Sequence, residues 1–222
     1  MANTILLYHY IQASDEAGMR WFSRHMEWIS RHRAVSGLQE LLVSSGMHRT
    51  AVTIDDGGDD VCEGMLRVAA ACMVPVTLFV ATRSKLMSKE AMERAAKLDN
   101  IALGAHTQTH KDVSRCSKWE VEQEIEGSID DLKSWFGIRN APFAFPFGRD
   151  AEYAYEVLSR LGYRQAYVTR EVPVESVRES VHGVAVIPRI GILRSQSDFL
   201  FRLKSCGYTK RRLQNGVLGK PR

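Results

Sequence analysis

Two adjacent carboxylates, Asp55 and Asp56, follow an apolar run that ends at Ile54. Neighbouring residues of a strand point to opposite faces, but at the end of a strand both side chains can turn toward one edge of the sheet. Like charges at this separation repel each other unless a cation or a shared proton lies between them. The pair therefore indicates a cation site or an acid–base site. The alternative is an ordinary Asp-Asp-Gly turn.

Two histidines, His106 and His110, are spaced four residues apart after a second apolar run. If this segment is helical, both imidazoles lie on one face. Two histidines and one carboxylate form a ligand set that leaves positions on a divalent metal open for water and substrate. Asp56 can supply the carboxylate, and Asp55 can then act as a general base toward water. The alternative is a chance pair of histidines.

Apolar runs of strand length alternate with helical segments along the chain, which predicts an α/β fold with a parallel sheet, open or closed into a barrel. Active sites of such folds gather where the strands end, and the Asp and His pairs lie at such ends. Helix caps are expected at Ser88 and at Ser117, where Glu120 completes a capping box. The strands are expected at residues 4–10, 50–54, 76–82, 101–107, 143–147, 165–169 and 184–192.

The composition is typical of a soluble globular protein. The chain has 222 residues, of which 45% are hydrophobic and 25% charged, and this length suits one domain. No apolar run is long enough to span a membrane, and the amino terminus does not resemble a secretory signal. The four cysteines form no CxxC pair, and we expect them to be free thiols. These features predict a cytoplasmic location.

The positive charge is concentrated at the carboxyl terminus. Residues 202–222 contain seven Lys or Arg and no Asp or Glu, whereas the rest of the chain has 23 basic and 26 acidic residues. We therefore predict a catalytic domain over residues 1–201 and a basic tail over 202–222. The tail could contact an anionic surface such as lipid headgroups, or it could be a solvated end. No pattern of basic and aromatic residues indicates a nucleic-acid partner.

Three motifs resemble those of the polysaccharide deacetylases, the family-four carbohydrate esterases, and occur in the same order and at similar spacing. The resemblance covers about residues 4–200, and the apolar segments ILLYHYI and VIPRIGI resemble the first and last strands of the exopolysaccharide-type branch. The motifs are TIDDG (53–57) for the family's TFDDG, HTQTH (106–110) for H-S/T-x-x-H, and FAFPFG (143–148) for an arginine-containing FRPPYG.

The resemblance implies a distorted, incomplete (β/α) barrel and a metal-dependent N-deacetylase. Its substrate would be an N-acetylated amino sugar in a glycan or in a sugar-linked precursor, and its reaction the hydrolysis of a linear amide bond. It makes Asp55 the general base, and the backbone N–H of Phe147 a donor to the oxyanion. Pro146 and Phe147 would contact the substrate. The metal, zinc or another divalent transition metal, would be bound by Asp56, His106 and His110.

Two positions differ from the family pattern. The family's third-motif arginine corresponds to Ala144, and the histidine of its late L-x-H motif corresponds to Arg189 in the segment IPR. Arginine is almost always protonated and is a poor proton donor at neutral pH. We expect Arg189 to form a bidentate pair with Asp55, replacing the missing arginine; the alternative is a structural ion pair elsewhere. His182 is then a candidate acid. The other histidines are expected at the surface or at helix caps: His9, His25, His32 and His48.

Two other functions remain open at this stage. The same fold could hydrolyse a non-sugar amide, since some relatives act on such substrates and some of these use no metal. The missing arginine and acid could also indicate a glycan-binding module without activity. The complete set of Asp55, Asp56, His106 and His110 favours the enzyme, because a binding module has no use for both a base and a metal site.

Overall fold

The computed structural model describes residues 3–43, 48–174 and 179–208, and these contain one mainly parallel sheet. The order of its main strands is β5-β4-β3-β1-β8-β6, with β2 beside β3 and β7 antiparallel to β8. The strands are β1 (Thr4–His9), β2 (Ala34–Val35), β3 (Arg49–Asp55), β4 (Val76–Val80), β5 (Ile101–Ala105), β6 (Gln165–Thr169), β7 (Ser180–Val181) and β8 (Val184–Gly191).

Two residues connect the two ends of this sheet into a ring. Phe143 forms a parallel bridge with Ala105 at the end of β5, and Ala144 forms one with Tyr167 in β6. The strand predicted at 143–147 is therefore shorter than expected. Pro146 has no N–H to continue a ladder, and Phe147 turns the chain with a φ of 59°. The α/β fold is confirmed, and its shape is a distorted, incomplete (β/α) barrel.

Seven α-helices surround the sheet in the described part of the chain. The predicted caps are confirmed: the Ser88 side chain accepts from Ala91 N, and Ser117 and Glu120 form a capping box. None of the described helices is long and apolar enough to cross a membrane. The helices are α1 (Glu16–His32), α2 (Leu38–Val43), α3 (Arg67–Ala71, preceded by a π-helical turn at Cys62–Leu66), α4 (Lys89–Ala96), α5 (Lys118–Phe136), α6 (Glu152–Arg160) and α7 (Asp198–Ser205).

The strand residues divide between two apolar clusters because alternate side chains point to opposite faces of the sheet. On β1, Leu6 and Tyr8 pack in the larger cluster with the surrounding helices, whereas Ile5 packs inside the barrel with Phe79 and Tyr167. The inner cluster also contains Leu38 and Leu41 of α2. Since α2 precedes β3, these leucines close the amino-terminal end of the barrel, and the opposite end stays available for a site.

α7 runs across the boundary predicted between residues 201 and 202. Lys204 is 4% exposed, donates to Gly191 O at 2.8 Å and pairs with Glu171 at 2.7 Å. This charge therefore belongs to the folded domain rather than to a tail. Contact of the tail with an anionic surface stays a prediction, as does the cytoplasmic location. Arg202 also lies in α7, with its guanidinium over the Trp28 ring at 5.9 Å. The other five predicted tail cations lie outside the described residues: Lys210, Arg211, Arg212, Lys220 and Arg222.

Candidate metal centre

The two adjacent carboxylates lie at the carboxyl end of β3, and a left-handed backbone angle brings them together. Asp55 is the last residue of β3, and Asp56 has a φ of 76°, a conformation that Asp tolerates better than most residues. Asp55 Oδ2 and Asp56 Oδ1 lie 3.7 Å and 3.9 Å from His106 Nε2. Both carboxylates therefore face the same imidazole, as the sequence predicted for the end of a strand.

The glycines that follow let this loop lie close to the chain after β1. Gly57 has a φ of 71°, and a Cβ atom at Gly58 would lie 2.2 Å from the Tyr10 ring. The Tyr10 hydroxyl donates to the Asp60 carboxylate, whose other oxygen accepts from Ala13 N at 2.8 Å. The loop carrying Asp55 and Asp56 is thus fixed to the connection between β1 and α1.

The segment from His106 to His110 is not helical, so the conditional expectation of an i,i+4 helix pair is wrong. Thr107 and His110 have φ values of 63° and 64°, which no α-helix contains. The loop is held from outside by Glu124 of α5, which accepts from Gln108 N at 3.0 Å and Thr109 N at 2.7 Å. The two imidazole rings still lie 5.1 Å apart, because the loop folds back on itself.

The tautomer of His106 follows from its hydrogen bond. Its Nδ1 atom lies 2.8 Å from Ala144 O, and a carbonyl oxygen only accepts, so Nδ1 carries the proton. Nε2 then presents a lone pair to the two carboxylates. Burial lowers the pKa of His106 and favours this neutral form. A backbone acceptor on one ring nitrogen is the usual support of a metal-binding histidine.

One atom each from Asp56, His106 and His110 lie within 4.8 Å of one another, close enough to share one ion. Asp56 Oδ1 lies 2.9 Å from His110 Nε2, yet it is buried and has no hydrogen bond of acceptable geometry among the described residues. A buried acceptor facing two imidazole nitrogens suits a divalent cation. Two histidines and a carboxylate are typical zinc ligands, and other divalent transition metals accept the same set.

The charges within this ligand set support each other. Burial raises the pKa of Asp56, but the contact with His110 and the nearby imidazoles of His106 and His9 outweigh it, and the net shift is downward. The same contact raises the pKa of His110. Asp56 is therefore held as a carboxylate, the form that binds a metal.

Arg189 enters the site from β8 and forms the expected pair with Asp55. Its Nη1 and Nη2 atoms lie 2.6 Å and 2.8 Å from the two carboxylate oxygens, a bidentate arrangement. The Arg189 side chain is fully buried, and its guanidinium lies over the Phe79 ring at 4.9 Å. Ala144, at the family's arginine position, belongs to the same inner cluster as Phe79. A small residue there suits an interior that already contains the long side chain of Arg189.

Phe147 and Pro146 lie next to the histidines. The Phe147 ring is 4.8 Å from the His110 ring and 59% exposed, whereas Pro146 is buried. The left-handed φ of Phe147 turns the chain at the barrel rim. The structure therefore places the Phe147 side chain at the mouth of the site and buries Pro146 behind it, and substrate contact by either residue stays a prediction.

Two predictions for histidines outside the ligand set are wrong. His182 lies in the turn between β7 and β8, at the end of β8 opposite to its carboxyl end, and its nearest ion-pair partner is Glu152 at 3.6 Å. It cannot reach the centre as an acid. His25, expected at the surface, is buried in the core, where its ring stacks on Phe201 at 3.6 Å.

His9 is a site residue that the sequence reasoning missed. It is the last residue of β1 and is paired in register with Asp55 of β3. Because Ile5 points into the barrel, alternation along β1 places His9 on the inner face at the mouth. The side chain is exposed, and its charge reaches Asp56. The sequence contained a signal for this role. The alternation along β1 ends at His9, and the neighbouring strand β3 ends at Asp55 and Asp56.

Fold and site together define a class of protein: a distorted parallel (β/α) barrel with two aspartates and two histidines at the carboxyl ends of its strands. The sequence profile named Polysaccharide deacetylase matches residues 44–166, which is more than half of the chain. The chain belongs to the polysaccharide deacetylase family.

Solved structures show the same fold. The Streptococcus pyogenes deacetylase PplD in complex with acetate has 17% identity and a TM-score of 0.73 over 89% of this chain and 95% of that one. IcaB from Ammonifex degensii has 17% identity and a TM-score of 0.73 over 92% and 97%. A de-N-acetylase from Aggregatibacter actinomycetemcomitans has 10% identity and a TM-score of 0.72 over 92% and 100%. No curated protein matches this chain in sequence.

Proposed function

We propose that the protein is a metal-dependent hydrolase that removes N-acetyl groups from the amino sugars of a glycan or glycan precursor. The observation that supports this most is the convergence of Asp56, His106 and His110 on one point, beside an Asp55 held by Arg189. One structural relative, PplD, was solved in complex with acetate, the product that such a reaction releases.

In this proposal Asp56, His106 and His110 hold the cation. A divalent metal supplies a Lewis acid that polarises the amide carbonyl and lowers the pKa of water. Asp55 takes a proton from the attacking water. Its two oxygens both accept from Arg189 but keep lone pairs for this proton, since a carboxylate has about four acceptor sites.

The chain must also stabilise the negative charge that develops on the carbonyl oxygen. We assign this to the backbone N–H of Phe147, a residue whose ring lies beside the His110 ring and whose left-handed φ turns the chain at the rim. A main-chain donor at a rigid turn is preorganised for this task. The exposed Phe147 ring would then form one wall of the substrate site, with the buried Pro146 supporting the turn behind it.

We assign protonation of the leaving amine to His9, because Arg189 is occupied by Asp55 and His182 lies at the far end of β8. His9 stands at the mouth beside Asp55. We expect His9→Ala to lower kcat by roughly 100-fold or more, the usual contribution of a general acid, with unchanged zinc content. His182→Ala is the matched control and should keep wild-type turnover. Equal turnover of the His9 variant and wild type would remove this assignment.

The test of the function is acetyl release, measured by mass spectrometry after incubation of zinc-loaded protein with N-acetylated oligosaccharides and sugar-linked precursors. We expect acetyl loss from at least one of them, and none with His106→Ala. Hydrolysis confined to non-sugar amides would favour the alternative enzyme. Glycan binding without any acetyl loss would show a binding module instead.

A further inference from the structure

A cavity lies at the end of the barrel opposite to the candidate metal centre. It has a volume of about 340 Å³ and opens between two loops, the one that follows α5 and the one that follows α6. Pro142, which directly precedes the bridging residue Phe143, and Gln165, the first residue of β6, both line it. Its position at the amino-terminal ends of the strands separates it from Asp55 and the histidines by the length of the barrel.

Two arginines of this cavity have no partner among the residues that the structure describes. Within the described residues, neither the Arg139 nor the Arg164 guanidinium has an ion pair or a hydrogen bond, and the described lining residues include no Asp or Glu. Most other exposed arginines of the described surface pair with a carboxylate, for example Arg160 with Glu122 and Glu126. Unpaired guanidinium groups in a concave surface favour an oxyanion ligand, whose oxygens they bind bidentately.

A buried hydroxyl adds a second polar group without a partner. Tyr163, which lies between the two arginines in the sequence, also lines the cavity. Its hydroxyl oxygen is buried and has no hydrogen-bond partner among the described residues. Burial raises the pKa of Tyr163 to about 12, so the hydroxyl is a neutral donor. Leaving such a group unsatisfied is costly, and a ligand oxygen would relieve that cost.

We propose that this cavity binds a single sugar unit that carries an oxyanion, either a phosphate or a carboxylate. Arg139 and Arg164 bind the anionic group. The side-chain amides of Gln39, Asn140 and Gln165, which line the same cavity, supply donors and acceptors for sugar hydroxyls. The volume lies at the lower end of small-molecule sites, which suits one sugar ring. The site would anchor an acidic saccharide away from the reaction centre.

A simpler explanation is that both cations stabilise helix carboxyl termini, since α5 ends at Phe136 and α6 at Arg160, a few residues before them. This explanation predicts an effect on stability alone. The proposal predicts an effect on binding, so the two are separated by measuring both in the same variants.

The experiment is titration calorimetry of the full chain with glucose 6-phosphate, glucuronate, glucose and inorganic phosphate. We expect at least one charged sugar to bind more tightly than both glucose and inorganic phosphate. Tighter binding of glucose 6-phosphate identifies a phosphate as the anion, and tighter binding of glucuronate identifies a carboxylate. The double variant Arg139→Gln/Arg164→Gln should weaken this binding by roughly 10- to 100-fold, the contribution of two charge-assisted contacts. Tyr163→Phe should weaken it by a smaller factor.

Two control variants test whether the sugar binds in this cavity. Arg67→Gln removes an exposed arginine of α3 and should leave binding unchanged. His106→Ala should also bind normally, since the metal centre is not involved. The proposal is overturned if neither charged sugar binds, if inorganic phosphate binds as tightly as the charged sugars, or if the double variant changes thermal unfolding without changing affinity.

Discussion

At the scale of single residues, the ion pair between Arg189 and Asp55 contributes both to the stability of the fold and to the position of the proposed base. Both side chains are buried, Arg189 fully and Asp55 to 3% exposure. Removing one member of such a pair leaves the other charge without a partner in the protein interior, which typically costs about 3–5 kcal/mol. Arg189 also determines where the two Asp55 oxygens point, so its loss affects the direction of the base as well as the fold.

Arg189→Ala should therefore lower turnover strongly while Asp56, His106 and His110 keep the zinc. The double variant Arg189→Ala/Ala144→Arg should recover part of both turnover and stability, because it returns an arginine to the inner cluster at the family's position. Ala144→Arg alone should be destabilised, since the interior already contains Arg189. Turnover and thermal unfolding of the three variants test this, together with zinc analysis. Wild-type turnover in Arg189→Ala would contradict the positioning role.

The two neighbouring aspartates should respond differently to the same substitution. Asp55→Asn should retain zinc and lose roughly 100- to 10,000-fold in rate, as expected for a missing general base. Asp56→Asn should lose zinc, because it removes the only carboxylate of the ligand set. Zinc content by elemental analysis and rate by acetyl release distinguish them. Loss of zinc from Asp55→Asn would mean that Asp55 is itself a ligand.

At the scale of elements, α5 positions the histidine loop from outside the barrel. Glu124 is buried and accepts from both Gln108 N and Thr109 N, and Asp131, about two turns further along α5, accepts from Gln108 Nε2 at 3.0 Å. These contacts replace the regular hydrogen bonds that a helix would have supplied to residues 106–110. The loop can hold left-handed angles at Thr107 and His110 because α5 fixes its amide groups.

Glu124→Leu should therefore weaken zinc binding by roughly 10- to 100-fold, the effect usual for partners behind metal ligands. Glu124→Gln should be milder, because the amide oxygen still accepts from the two backbone N–H groups. Glu126→Gln is the control on the same helix, where the residue pairs only with Arg160 at the surface. Competition with a chromophoric chelator measures the affinities. Equal zinc affinity of Glu124→Leu and the control would contradict the role of Glu124 in positioning the histidine loop.

The sequence was sufficient for most of the barrel strands and for the aspartates and two histidines of the candidate ligand set. Strand length, alternation and caps such as Ser117 with Glu120 are local, and they predicted the barrel strands and the cluster of Asp56, His106 and His110. The geometry of the HTQTH loop was not predictable, because Glu124 lies distant in sequence. His182 was wrongly chosen because it lies close to Arg189 in the chain. The residues between them form most of β8, and an extended strand places its two ends far apart. His9 was missed although the alternation of side chains along β1 places it on the inner face of the barrel.

At the scale of the whole molecule, His25 connects three elements of the core. It lies on α1, its Nδ1 is 3.1 Å from the Tyr8 hydroxyl of β1, and its ring stacks on Phe201 of α7. Burial lowers the pKa of His25 to about 4, with Arg24 acting in the same direction and Asp198 against it. The folded protein thus keeps this imidazole neutral at a pH where the unfolded chain protonates it.

Stability should fall as the pH falls from about 6.5 toward 4, because only the unfolded state then binds this proton. The contribution is on the order of 2–3 kcal/mol across that window. His25→Phe, which keeps the ring stack, should show a smaller loss of unfolding free energy between about pH 7 and 5. His32→Phe changes an exposed histidine of the same helix and should behave as wild type. Denaturant unfolding at several pH values measures this, and equal pH slopes in both variants would contradict it.

The barrel is joined unevenly around its circumference. β1 and β3 share six paired positions, whereas the ring closes at Phe143 and Ala144 through two single bridges. This seam should open by thermal fluctuation more often than the contact between β1 and β3. Ala144 O is also the acceptor that orients His106, so we expect opening of the seam to loosen one of the proposed metal ligands. A cation bound by His106 would hold this histidine in place and would thereby make opening of the seam less frequent. Amide hydrogens of Ala144 and Tyr167 should then exchange with solvent more slowly in zinc-loaded protein than in protein treated with a chelator.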